Sequence, residues 1–432
     1  MEINQALSIK HPPLNTMAQT TSPKVIIVGC GIAGPVIALL LQKKGYTPII
    51  LEKVKQLGDA GASLMMQPNG LKVLSLIGLA ESVTNAAPHV KETSNMTHTG
   101  ESIGSCDILG GAKERYGQPA CGVKRTEFNL HLKQTVLDAG IELHEGWKLE
   151  DIEDSEYGVT AISEDGQKVE GSFLIGCDGI RAMSRSILLK RKGIEEPEAS
   201  YTGLIQTACM SSTPASLKNH PIILNIFGPS AHMVLYPVSL DTTSWAISRR
   251  SSIQKKETWR KASPSELAAQ KAQLLEEFKE WNNTPALDLI SGAERLITYG
   301  LFDRPSLEPE NWYNGRCILI GDAAHPTSPH LGQGANQAME DCYHLQRLLP
   351  SVAGRDSPIS TSELTTIFSG FAQLRQPRTA ALVAGARAQG EDRVVEAGPK
   401  AEERNERMRQ KHSDTGTWIK IYDALLKEPF EM

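Results

Sequence analysis

The sequence predicts an α/β fold: a domain built on a parallel sheet, a second and mostly antiparallel sheet, and a C-terminal helical region. Three observations predict it. At 25–34, VIIVGCGIAG runs a β-branched apolar strand straight into three glycines. Between 200 and 300 the short segments YTGLIQTACM, PIILNIFG, HMVLYPVSL and TSWAISRR read as strands separated by turns. Beyond 390 the chain turns to runs of Glu, Arg and Lys.

Taken in order, residues 1–23 read as a loose polar extension with no apolar core for a signal peptide. KVIIVG at 24–29 is a buried strand, and GPVIALLLQKK at 34–44 a helix, with Pro35 tolerated in its first turn and Gly45 stopping it. YTPIILE at 46–52 is the next strand, and the βαβ unit implies a parallel sheet. Helices follow at 68–79 and, capped by Thr126, at 126–139; short strands alternate from 141 to 179. After the 200–300 strands, a charged helix occupies 264–281, the buried-strand pattern returns in GRCILIGD at 315–322, and a long helix starts near 335. The 391–432 segment reads as a solvated helical tail.

At 432 residues the chain has room for two or three domains, and its net charge of −5 shows no nucleic-acid or anionic-membrane footprint. The apolar window 25–41 falls short of the ~20 residues of a membrane span and is broken by glycine. Seven cysteines are scattered without a CxxC pair, which speaks against a disulfide framework or zinc site and for a reducing compartment; a cytoplasmic protein is expected. Cys30, Cys177 and Cys317 read as small buried hydrophobes.

The glycines have a physical logic. Gly29 permits a tight turn, Gly31 lets a pyrophosphate approach the backbone, and Gly34 lets the helix pack on the sheet. Glu52 ends the second strand, 18 residues past Gly34, where a carboxylate accepts hydrogen bonds from ribose hydroxyls. This leaves NAD, NADP or FAD. FLIGCDGIRAMSR at 173–185 and GRCILIGDAAHPTSPHLGQGANQAMED at 315–341 are two more strands, each ending in a carboxylate beside glycine, Asp178 and Asp322. The turn Gly332-Gln333-Gly334 leads into a helix and exposes amides that suit an anionic flavin edge.

With these three motifs in this order, residues 24–390 resemble the FAD-dependent aromatic-ring monooxygenases of the p-hydroxybenzoate hydroxylase fold, in the salicylate-hydroxylase-like branch with its fungal secondary-metabolism members. The resemblance implies a discontinuous Rossmann-type FAD-binding domain at 24–200 and 301–390, with parts of 80–125 shared with the substrate sheet. It implies a substrate domain at 201–300 and the tail at 391–432. It assigns Gly29, Gly31, Gly34, Glu52, Ala62, Arg125, Asp178, Asp322, Gly332, Gly334, Ala335 and Asn336 to FAD. The chain departs from the family pattern at Cys177, where Ala is common; at Ser63, where Gly closes a Gly-Ala-Gly turn; and at Lys53, where Arg is usual.

The resemblance also implies a reaction: NAD(P)H visits transiently and reduces the flavin, O2 adds at C4a, and the hydroperoxide delivers one oxygen atom to an aromatic or phenolic small molecule. No second strand–GxGxxG–helix unit is present to hold a nicotinamide cofactor. The expected catalytic residues are Arg185, to hold an anionic oxygen, and Tyr236, to orient or deprotonate a phenol, with His232 nearby. Tyr236 also reads as a buried ring with a tied hydroxyl, and Arg185 as a brace of the Asp178-Gly179 segment. His325 and His330 lack partners at metal-ligand spacing, so no metal is expected; Arg375 and Arg378 read as structural. Epoxidation of an indole or prenyl double bond, a flavin dehydrogenase or reductase, and a non-catalytic nucleotide binder remain alternatives. No nucleic-acid partner is expected, and the chain is a monomer or homodimer.

Overall fold

The computed structural model describes residues 22–58, 61, 63–252, 262–355 and 357–432. Residues 1–21 of the expected extension lie outside them. The β-branched run Lys24–Val28 takes the centre of a six-stranded sheet, where both faces are covered. The strand order is Tyr313–Asn314, Cys317–Leu319, Phe173–Gly176, Lys24–Val28, Thr47–Glu52, Glu142–Glu145. Every pairing is parallel except the terminal hairpin 313–319. The helix Ala33–Lys43 buries nine consecutive residues from Ala33 to Leu41. Each fully buried Ile or Leu there contributes ~1.5–3 kcal/mol, so packing rather than propensity holds this helix.

The second sheet has seven strands in the order Ile297–Asp303, Ser200–Ser212, Thr242–Arg250, Ala231–Pro237, Ile222–Gly228, Glu92–Thr97, Ser102–Cys106. It is antiparallel apart from the parallel pairing of Ile222–Gly228 with Glu92–Thr97. Strand alternation divides its faces. Leu224, Ile226, Met233 and Leu235 pack on Leu274, Phe278 and Trp281 behind the sheet. Ile223, Asn225, Phe227, Val234 and Tyr236 face a cavity in front of it.

The 33-residue helix Thr361–Arg393 runs from the first domain to the cavity, and the helices Pro399–His412 and Thr415–Leu426 complete the chain. The tail is helical but not a free solvated appendage. Met408, Lys411, His412, Trp418, Ile421, Tyr422 and Leu425 form the outer wall of the cavity. Its side chains are the reason: apolar residues recur on one face of 415–426, and polar anchors fasten that face down. Tyr422 bonds Thr93 at 3.0 Å, Arg115 pairs with Asp423 at 2.8 Å, and Lys72 Nζ donates to the carbonyls of Lys427 and Phe430 at 2.5 and 2.9 Å. No helix among the described residues is long and apolar enough to cross a membrane.

Candidate functional site: a cofactor cradle opening onto a substrate chamber

One cavity of about 1310 Å³ runs from the Gly29–Gly34 turn to the tail. That exceeds the ~300–1,000 Å³ usual for one small-molecule site, leaving room for a cofactor and a substrate together. At the inner end, Gly31, Ile32 and Ala33 form the wall. A side chain at Gly29, whose φ is +106°, would meet the Cys177 carbonyl at 2.6 Å, and one at Gly34 would meet the Gly29 carbonyl at 1.9 Å. At Gly31 a Cβ would meet nothing within 4 Å, so this position keeps open space rather than relieving a clash. The helix starting at Ala33 has no side-chain cap and no acidic residue in its first turn, so its end is a ready anion site. The helix Gly334–Leu348 also begins uncapped at the cavity wall, with Gly332, Gly334 and Ala335 lining it.

Glu52 is buried under the first turn, where its carboxylate accepts from the amides of Cys30 at 2.7 Å and Val54 at 2.9 Å. It holds the turn's shape, and each oxygen keeps a second lone pair. Asp178 accepts from Ser184 Oγ and N at 2.5 and 3.0 Å and so caps the helix Met183–Arg191, while its neighbours Cys177 and Gly179 line the cavity. Burial pushes the Asp178 carboxyl above the usual range.

Asp322 and Arg125 both face the cavity. Among the described residues no donor reaches the Asp322 carboxylate, and burial raises its pKa against the opposing pull of His325, Arg125 and Arg185. The buried Nε of Arg125 has no hydrogen-bond partner among those residues. An acceptor awaiting donors, a cation with an orphaned N–H and two uncapped helix ends fit a ligand carrying hydroxyls and phosphates.

The loop at 321–334 is held from behind. Asp341 accepts from the Gly321 amide at 2.8 Å, His325 Nε2 at 2.5 Å and Arg375 Nε at 2.7 Å. Glu340 accepts from Arg375 and Arg378, both at 2.8 Å. His325, Arg375 and Arg378 are therefore braces, and His325 and Arg375 hold Asp341 well below the usual carboxylate range. His330 Nδ1 lies 3.0 Å from Ser328 Oγ, and burial drives the ring's pKa down to about 3. Among the described residues no group of three or more His, Cys, Asp or Glu is placed to hold a metal ion.

Besides Glu52 and Asp178, two further expected site side chains do not line the cavity. Arg185 is 2% exposed and does not reach the cavity wall. Its guanidinium donates to Glu196 at 2.6 Å and to the carbonyls of Ile180 and Ala323 at 2.5 and 3.1 Å. These contacts engage all three guanidinium nitrogens, so the catalytic expectation for Arg185 is corrected to a brace between the 178–185 and 321–324 segments. Asn336 is fully buried; it accepts from the Gln67 amide at 3.0 Å and donates to the Met65 and Gly332 carbonyls at 3.0 and 2.8 Å. It clamps the loop rather than lining the cavity. Ala62 lies outside the described residues.

Tyr236 does face the cavity, and its hydroxyl lies 2.7 Å from Ser63 Oγ, which is 2.5 Å from Ser244 Oγ. Burial raises the phenol pKa, so it stays neutral around pH 7. Ser63, noted in the sequence only as a small residue in place of glycine, is thus the partner of Tyr236. Asn225 and Arg393 also line the chamber and escaped sequence reading. Asn225 had a signal: it is the lone polar residue of IILNIFG. His232 lies behind it, buried, with Nε2 3.0 Å from Asn225 Oδ1.

A nucleotide cradle continuous with a sheet-walled chamber defines a flavin-dependent oxidoreductase fold. The chain belongs to the family of the FAD binding domain, whose model matches residues 22–358. FAD is its cofactor. The chain is 28% identical over 414 residues to 3-amino-4-hydroxybenzoate 2-monooxygenase PtnB3 of Streptomyces platensis, covering 95% of this chain and 98% of that protein. It is 27% identical over 371 residues to 3-hydroxybenzoate 6-hydroxylase of Klebsiella oxytoca, covering 85% and 88%. In fold it is similar to Klebsiella pneumoniae HpxO complexed with FAD and uric acid, with a TM-score of 0.80 at 22% identity over 96% of this chain and 99% of that one. A salicylate hydroxylase substrate complex superposes with a TM-score of 0.74 at 21% identity, covering 94% and 97%.

Proposed function

We propose that this chain is an FAD-dependent, NAD(P)H-consuming monooxygenase that inserts one oxygen atom of O2 into a phenolic or other aromatic small molecule, in secondary metabolism. The observation that carries the reading is the single chamber joining the Gly31–Asp322–Gly334 cradle to the sheet face bearing Tyr236. The names of the relatives, hydroxylases of hydroxybenzoates, support it.

FAD, when bound, supplies the redox chemistry and the activation of O2. The residues do the rest. Gly31 and the helix start at Ala33 would receive the pyrophosphate, Glu52 the ribose, Asp322 the ribityl hydroxyls, and Arg125 an anionic part of the cofactor. The amides at Gly332–Ala335, on the cavity wall, would hold an anionic edge of the flavin. The sheet and the tail wall the chamber. The neutral Tyr236 phenol, oriented by Ser63, holds or moves the proton of a substrate hydroxyl. The enzyme works in the cytoplasm as a monomer or homodimer.

Purified yellow protein incubated with NADPH or NADH, 3-hydroxybenzoate, salicylate, simple phenols and prenylated indoles under ¹⁸O₂ tests this. Label in an aromatic hydroxyl is the expected result. Label in an epoxide moves the reading to the epoxidase. Equal NAD(P)H oxidation with and without O2 overturns oxygen insertion.

A further inference from the structure

We infer that Arg393 and Asn225 form the seat for a carboxylate carried by the aromatic substrate. The inference rests on the monooxygenase reading for the word substrate; the anion site itself stands on geometry. Asn225 projects from the cavity-facing side of Ile222–Gly228, between Ile223 and Phe227. Its Oδ1 lies 3.0 Å from His232 Nε2 and 3.5 Å from Arg393 Nη2. His232 is buried with its pKa well below the ordinary value, so it is neutral, and facing an acceptor oxygen it carries its proton on Nε2. That pairing fixes the amide: the oxygen is turned to His232, and the Nδ2–H₂ group remains as a donor at the cavity wall.

Arg393 ends the long helix Thr361–Arg393 and is anchored by Nη1 donating to the His330 carbonyl at 2.9 Å. Some interior arginines have carboxylates: Arg185 and Arg304 share Glu196, and Arg375 has Glu340 and Asp341. Among the described residues none lies within ion-pair distance of Arg393; its neighbour Asp392 pairs with Arg407 at 2.5 Å. Burial presses the Arg393 guanidinium down to about 10, the direction of a cation without a close counter-charge in a poorly solvated place. A cation and an amide donor on one wall, beside the apolar Ile223, Phe227, Val234 and Leu331, suit a flat ring bearing an anionic pair of oxygens. His232 then acts as a positioning residue for Asn225.

The test uses FAD-loaded protein and the isosteric probes benzoate and benzamide, with binding read from the visible flavin spectrum. Wild type is expected to bind benzoate about tenfold or more tightly than benzamide. Arg393→Met should bring the two within about twofold with flavin content unchanged, and Arg393→Lys should keep part of the preference. Asn225→Asp places a like charge at the seat and should weaken benzoate while sparing benzamide. Equal binding of the two probes by wild type, no benzoate binding, or an acid preference that survives in both Arg393→Met and Asn225→Asp overturns the inference. The labelling experiment fails or succeeds separately: a benzoate preference without ¹⁸O incorporation leaves the anion seat and removes the oxygenase.

Discussion

Two glycines three positions apart, Gly31 and Gly34, separate cofactor binding from folding, and the separation can be measured. A methyl at Gly34 would stand 1.9 Å from the Gly29 carbonyl, far inside contact distance. The helix start must shift, at ~1–3 kcal/mol for overpacking, against which the gain from Gly to Ala in a helix is at most ~1 kcal/mol. Gly34→Ala should therefore lower the melting temperature of the apoprotein. A methyl at Gly31 meets nothing within 4 Å and the backbone there needs no glycine conformation. Gly31→Ala should leave the apoprotein as stable as wild type. It occupies the space a pyrophosphate needs and displaces a charge-assisted amide bond worth ~1.5–3 kcal/mol, which is a loss of roughly 10- to 150-fold in FAD affinity. Thermal melts of apoprotein and FAD titration by quenching of flavin fluorescence read the two effects. If Gly31→Ala melts as early as Gly34→Ala and binds FAD normally, the cradle argument is wrong.

Asp322→Ala should weaken FAD while leaving the apoprotein folded, since no donor from the protein depends on that carboxylate; retention of flavin at the wild-type ratio in dialysed protein would remove its cofactor role. Tyr236→Phe should keep flavin and lower turnover by about 10²-fold, the usual weight of a positioned acid–base group, and unchanged turnover would return the ring to packing. Arg185→Met should lower stability by about 1–3 kcal/mol through the lost bond to Glu196, which Arg304 still pairs, and the unpaired Ala323 carbonyl, with KM for the aromatic substrate unmoved once the protein is folded. His330 titrates near 3 when folded against 6.5 when free, so the unfolded chain binds the extra proton first. Its contribution is intact above pH 6.5 and is lost as pH falls toward 3, about 2 kcal/mol by pH 5; denaturant melts of His330→Gln should show a shallower acid slope than wild type.

The cofactor half of the fold was legible because it is local. VIIVGCGIAG, Glu52, Asp178-Gly179 and Gly321-Asp322 each carry their geometry within a few residues, and a parallel sheet's continuous apolar runs are easy to recognise. The chamber was legible only where period-2 alternation exposes a polar residue, as at Tyr236. What failed was long-range. Arg185 sits beside a cofactor motif, yet its partners Glu196 and Ala323 decide where its guanidinium goes. The serine at 63 reads as a small residue until Tyr236, 173 positions later, is laid against it. The charged tail resembles solvated helix because its anchors, Thr93, Arg115 and Lys72, lie more than 300 residues upstream.

That tail sets an order of events. The inner end of the cavity begins at Gly31–Ala33, and its outer wall lies at 408–425. During synthesis the cradle strands and helix emerge hundreds of residues before the wall that closes over them. Contacts of such sequence separation form late and at high entropic cost. The first strand and helix of the cradle can be shaped while the chamber is still open to solvent, and the compartment is complete only when the last helix of the chain has docked.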